Sequence, residues 1–283
     1  MVENMQKFER TSDSLQCLDF HNHIFPEKVA NKIIDDLHKE GFTPYGTGTI
    51  LGLRKEMENS GVKACAALAV AVSPSLVEVT NSWILDKKGD GLFPVGSIHP
   101  LFREFKPEVK RLKEAGIKGI KFNALFQNFH PDDERAFPLY EELVNQEMFL
   151  MFHSGPGMLT KPGQEVYATP ERLRRILDLF PRMTLIAAHF GGFHMIEESR
   201  KHLLGRDVYI DTSYPPGLCF EPQNWVVDVI TSHDPDRILF GTDTPFARQK
   251  EDLEYILNLP ISAELKEKIL WKNGRRLLGL PKD

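Results

Sequence analysis

The chain has 283 residues, of which 41% are hydrophobic and 27% charged, and carries a net charge of -5 with a pI near 6.1. That length supports one large core or two ordinary domains and falls in the range of α/β barrels. The acidic balance leaves no basic footprint for nucleic acid, and no run approaches the ~18 apolar residues that span a bilayer, so a small soluble molecule is the default partner.

Met1 to Ser14 are polar and mixed in charge, without the apolar core of a secretory signal, which predicts a cytoplasmic protein. Cys17, Cys65 and Cys219 are odd in number and widely spaced, so they read as reduced and structural. The first strand carries Asp19-Phe20-His21-Asn22-His23. Strand side chains alternate, which predicts Cys17, Asp19, His21 and His23 on one face and Leu18 and Phe20 on the other. An H-x-H pair on such a face offers two imidazoles to one metal ion. Residues 25–60 exceed an ordinary connection and include Gly41-Phe42-Thr43-Pro44-Tyr45-Gly46-Thr47-Gly48, which predicts a partial lid over the mouth.

Strands are expected at Ala64 to Val72, Leu92 to Pro100 and Gly116 to Asn123. His99 ends the second of these on the inward side, and Arg103 follows closely enough to meet an anionic substrate in bidentate fashion. Lys121 points inward from the third, with Ile120 and Phe122 turned away. Pro131-Asp132-Asp133-Glu134 opens a helix, as does Thr169-Pro170-Glu171, where threonine caps and proline suits the first turn. Met148 to Gly155 ends in His153, with Leu150 and Phe152 opposite. Thr184 to Gly191 ends in His189, with Ile186 opposite, and Asp207 to Tyr214 carries Asp211. Ile238 to Pro245 ends in Asp243, with Ile238 and Phe240 opposite and Arg248 five residues on. Ser262-Ala263-Glu264 opens a final helix running toward Leu277.

Eight strands alternating with helices predict a single (β/α)8 TIM barrel over 1–283, an open doubly wound sheet being the runner-up. Candidate ligands lie on strands one, five, six and eight, and only a closed ring brings the first and last together at the carboxyl ends, where barrel active sites form. Histidines with an aspartate suit Zn2+, Mn2+ or Fe2+, zinc being the first choice, and leave a position open for water. Such an ion lowers the pKa of its water from about 15.7 to about 7. Asp243 could take that proton; His189 could bind a second metal, polarise a substrate oxygen or act as general acid and base.

The set resembles the amidohydrolase superfamily, and within it the branch of aminocarboxymuconate-semialdehyde decarboxylase and predicted metal-dependent hydrolases. The resemblance rests on Asp19-Phe20-His21-Asn22-His23, Gly119-Ile120-Lys121-Phe122-Asn123 with Pro131-Asp132-Asp133, Phe152-His153-Ser154-Gly155, Ala188-His189-Phe190-Gly191-Gly192 and Phe240-Gly241-Thr242-Asp243-Thr244-Pro245-Phe246. It implies metal ligation by His21, His23, His153 and Asp243, with His189 as the catalytic histidine beside the metal. Two-metal members of the superfamily carboxylate a lysine at the strand-four position; the decarboxylase-like branch uses one ion, which casts Lys121 as a substrate-site residue. The resemblance also implies a homodimer.

The leading expectation is a metal-dependent hydrolase of a small carboxylated or cyclic substrate. The alternative is a non-oxidative decarboxylase of an aromatic or muconate-type acid, with His189 delivering a proton to carbon. Two further readings stand behind these. One is a barrel that binds a ligand without turnover; the other is a nuclease, for which the related deoxyribonuclease pattern carries a glutamate where this chain has Lys121.

Overall fold

A computed structural model describes residues 16–281, so the expectation drawn from Met1 to Ser14 lies outside the described residues. The elements run β1 (Leu18–His23), α1 (Glu27–Lys39), α2 (Ile50–Ser60), β2 (Ala64–Leu68), α3 (Val77–Leu85), β3 (Leu92–Val95), α4 (Phe105–Glu114), β4 (Gly119–Phe122) and α5 (Ala124–Gln127). They continue with α6 (Phe137–Asn145), β5 (Phe149–Phe152), α7 (Pro170–Leu179), β6 (Leu185–Ala187), α8 (Ile196–His202), β7 (Tyr209–Asp211), α9 (Gln223–Thr231) and β8 (Ile238–Leu239). The chain closes with α10 (Gln249–Asn258), α11 (Ala263–Glu267) and α12 (Asn273–Leu278), the last two joined by a π-helical turn. Thr49, Thr169 and Ser262 cap their helices by accepting from the backbone N–H three residues on. No helix of the described residues is long and apolar enough to cross a membrane.

Adjacent strands pair in parallel from β1 to β3 and from β4 to β8. Gly96 and Lys121 join the two arcs through Lys121 N–H to Gly96 O at 2.8 Å. The ring closes where Phe20 N–H meets Phe240 O at 2.7 Å, His23 N–H meets Thr244 O at 2.7 Å and Asp243 N–H meets His21 O at 2.8 Å. The sheet is therefore a TIM barrel, and the open-sheet alternative fails because the chain just past β8 bonds to β1.

Leu18, Phe20, Ala66, Val95, Phe149, Met151, Ile186, Ala188 and Leu239 form one buried cluster drawn from the strands, joined from a helix by Leu278; they fill the ring. Burying the larger of these side chains is worth roughly 1.5–3 kcal/mol each. β4 contributes Gly119, whose absent Cβ leaves room for the Phe149 ring, since a Cβ there would fall 2.1 Å from it. Alternate residues such as Ile120, Phe122, Leu150 and Phe152 pack outward with Tyr140, Leu143 and Leu173 from α6 and α7.

Two face assignments from the sequence need correction. Neither Cys17, which packs with Leu53 and Met57 of α2, nor Asp19 shares a face with His21. Leu18 and Phe20 lie in the barrel core and Asp19 faces Thr242 and Gln249 on the helix side, and the register shift between Asp19 and Asn22 is what brings His21 off the face of Asp19. Ile186 is not opposed to His189 either; it lies in the barrel core with Ala188. Strict alternation would send His189 outward, but the chain turns left-handed at His189 (φ 60°) and Phe190 (φ 53°), past the end of β6.

The segment 25–60 holds α1 and α2. Between them, the N–H groups of Tyr45 and Gly46 donate to Pro245 O at 2.9 and 3.1 Å, and Phe25 N–H donates to Gly48 O at 2.8 Å. This stretch is thereby stitched to the rim two residues beyond Asp243.

Candidate metal centre

At the carboxyl end of the ring, β1 and the β8 loop bring three donor atoms together. His21 Nε2 and His23 Nε2 are 3.2 Å apart, and Asp243 Oδ1 lies 3.3 Å from each. Asp243 reaches this position from a left-handed backbone (φ 70°), and its buried Oδ1 meets no hydrogen-bond donor among the described residues. A buried oxygen without a donor is costly, so the arrangement calls for a cation.

The geometry fits one. Donor atoms about 2.0–2.2 Å from a shared ion lie roughly 3.0–3.5 Å apart, which matches all three edges of the triangle. His21 Nδ1 faces Asp211 Oδ2 at 2.8 Å, so its proton sits on that side and Nε2 is left as a lone pair. Burial pushes the His23 ring down to about 4, against a partial opposing pull from Asp243, and keeps it neutral as a ligand must be. Burial alone would raise the Asp243 carboxyl, but His21, His23 and His189 around it outweigh that and hold it well below the usual carboxylate range.

His153 and His189 make a second pair of facing nitrogens. His153 Nδ1 lies 2.9 Å from His189 Nε2. His153 Nε2 donates to Pro156 O at 3.0 Å, and His189 Nδ1 lies 2.8 Å from Ser213 Oγ and 3.1 Å from Ser213 O. With the protons so placed, two lone pairs face each other, which requires a proton or a cation beside them. Burial lowers both rings, His189 to about 4 and His153 well below its ordinary value, so neither carries that proton readily near neutral pH.

Lys121 is fully buried, and its Nζ lies 3.2 Å from His21 Nε2. Among the described residues no carboxylate comes within ion-pair distance of it. Burial lowers the ammonium to about 8, with Asp211 and Asp243 opposing from further off. It is a cation facing the same space as the donor triangle.

The structure thus gathers His21, His23 and Asp243 into one triangle, sets Lys121 beside it, and pairs His153 with His189 next to it, the His21 and His189 rings being 5.1 Å apart. It does not bring His99 or Arg103 into this contact. His99 accepts from Leu101 N–H at 3.2 Å, and Arg103 is exposed. Ser213 escaped the sequence reading, although Asp211-Thr212-Ser213 repeats the inward period of two at the end of β7. Two half-buried rings flank the triangle: Phe25 lies nearly parallel to His23 (4°) at 6.1 Å, and Phe246 lies 5.9 Å from it.

The sequence profile described as amidohydrolase matches residues 19–280. No curated protein matches the chain. Among solved structures, 2,6-dihydroxybenzoate decarboxylase complexed with 2,6-dihydroxybenzoate aligns over 94% of this chain and 99% of its own, with TM-score 0.73 and 19% identity. An uncharacterised TIM-barrel protein from Bordetella bronchiseptica aligns over 94% and 99%, with TM-score 0.71 and 21% identity. The 5-carboxyvanillate decarboxylase of Novosphingobium aromaticivorans, with bound manganese, aligns over 94% and 98%, with TM-score 0.70 and 16% identity. At these identities the likeness establishes the barrel fold.

Proposed function

Because the chain belongs to the amidohydrolase family, we propose that it is a metal-dependent carboxy-lyase removing carbon dioxide from a small aromatic acid. This reverses the order expected from the sequence, where hydrolysis came first. The observation that carries it is a cation-seeking triangle of His21, His23 and Asp243 with the rings of Phe25 and Phe246 beside His23 and a buried lysine beside His21. The decarboxylases among the structural neighbours, acting on hydroxylated benzoates by their names, support the same choice.

In this reading His21, His23 and Asp243 hold one divalent ion, with His153 as the fourth ligand, and the donor set suits zinc, manganese or iron. The ion supplies Lewis acidity toward a substrate oxygen. Phe25 and Phe246 offer apolar faces to the ring, and Lys121 offers its ammonium to the carboxylate. His189, once protonated on Nε2, delivers that proton to the ring carbon that bears the carboxylate. The carbon–carbon bond then breaks, its electron pair returns to the ring, and carbon dioxide leaves. Net consumption is one proton per turnover.

Hydrolysis is the second reading, favoured by the same donor triangle, which suits an ion that would activate water. The deciding experiment follows carbon dioxide release and acid or alcohol formation by the zinc- or manganese-loaded protein over hydroxybenzoates, muconate-type acids, esters and lactones. Carbon dioxide from an aromatic acid supports the proposal; acid or alcohol from an ester or lactone alone replaces it with hydrolysis.

A further inference from the structure

Asp211 and Ser213 lie at the end of β7, and beyond the contact of Asp211 with His21 neither was assigned a part in binding or turnover above. The Asp211 carboxylate is fully buried and completely used. Its Oδ2 faces His21 Nδ1 at 2.8 Å, while its Oδ1 accepts from the backbone N–H of His189 at 2.9 Å, from Ser213 N–H at 3.1 Å and from Ser213 Oγ at 2.5 Å. Having given its only proton to Asp211, the Ser213 hydroxyl can act toward His189 Nδ1, 2.8 Å away, and His21 Nδ1, 3.1 Å away, only as an acceptor.

We propose that Asp211 is a positioning residue that sets the proton position on two histidines at once, directly on His21 and through Ser213 on His189. On His21 it holds the proton at Nδ1 and frees Nε2 for the triangle. On His189 the serine oxygens hold the proton at Nδ1 and free Nε2 toward His153. The bond from His189 N–H to Asp211 also secures the left-handed turn that carries this ring into the mouth, against the alternation of β6. One carboxylate thus couples the metal ligand to the proton carrier, and removing it should disturb both.

The inference rests on the metal-site part of the proposed function but not on the identity of the reaction, so its test avoids turnover. Imidazole tautomers are read by two-bond nitrogen–proton correlation on the metal-free full chain, and zinc affinity by competition with a chromophoric chelator. In the unsubstituted chain His21 and His189 are both expected to carry the proton on Nδ1. In Asp211→Asn the amide oxygen can replace Oδ1, while the NH2 group faces His21 Nδ1 and drives the proton to Nε2, into the triangle. Zinc affinity should then fall about 10- to 100-fold, whereas Ser213→Ala, which keeps Asp211 and the Ser213 carbonyl, should keep the His21 tautomer. The proposal is overturned if His21 in the unsubstituted chain carries its proton on Nε2, a result that stands whether or not the variant folds. It is equally overturned if folded Asp211→Asn binds zinc as the parent does. Absence of carbon dioxide release with these tautomers intact would remove the carboxy-lyase reading alone.

Discussion

Replacing Lys121 with methionine should make the metal-free protein more stable near neutral pH while abolishing turnover. The ammonium is fully buried, has no carboxylate at ion-pair distance among the described residues, and is lowered from 10.5 to about 8, chiefly by burial. Each pH unit of such a difference corresponds to about 1.4 kcal/mol, so the charged lysine costs the fold about 3 kcal/mol. The sign follows from the lowered value: below about pH 8 both folded and unfolded chains carry the charge and the full penalty applies. It fades as pH rises toward 10.5, where both states become neutral. Methionine forfeits the hydrogen bond to His21 Nε2, about 1 kcal/mol, leaving a net gain of about 2 kcal/mol at pH 7. In a chain of this size that raises the melting temperature by about 3 °C. Thermal unfolding of the EDTA-treated parent and Lys121→Met at pH 7 and pH 10 measures it. The gain should nearly vanish at pH 10, and a variant less stable at pH 7, or equally stabilised at both pH values, would refute the account of Lys121 as an uncompensated buried cation.

Asp243→Ala removes one corner of the triangle and should weaken zinc or manganese binding by more than the 10- to 100-fold typical of an outer partner, as equilibrium dialysis would show. His189→Asn should leave one equivalent of metal bound and lower kcat by about 10²–10⁴-fold; loss of half the bound metal would instead indicate two ions. Gly119→Ala places a Cβ 2.1 Å from the Phe149 ring and should cost about 1–3 kcal/mol in urea unfolding, an unchanged midpoint refuting the packing argument.

What local pattern predicts, the barrel honours where the strand ladder persists. Leu150 and Phe152 pack outward with His153 at the strand end, and Ile120 and Phe122 flank an inward Lys121, because side chains alternate strictly while a strand stays paired. The same rule fails between Asp19 and Asn22 and at His189, where a bulge and a left-handed turn reset the phase. Both resets depend on distant partners: Thr242 and Gln249 hold Asp19, and Asp211 holds the backbone of His189. The lengths of the strands were likewise set in three dimensions, β8 keeping ladder pairing for only two residues before its loop turns to meet β1.

The sequence by itself determined the alternation of strands and helices and the residue types at the strand ends, since hydrophobic period and metal-donor chemistry are properties of short segments. Only the tertiary structure decided that Asp243 meets His21 and His23, that His153 faces His189, and that Asp211 and Ser213 serve two histidines together. Those are contacts between residues up to 222 positions apart, as 243 less 21 gives. Their distances depend on ring closure, which no local pattern encodes.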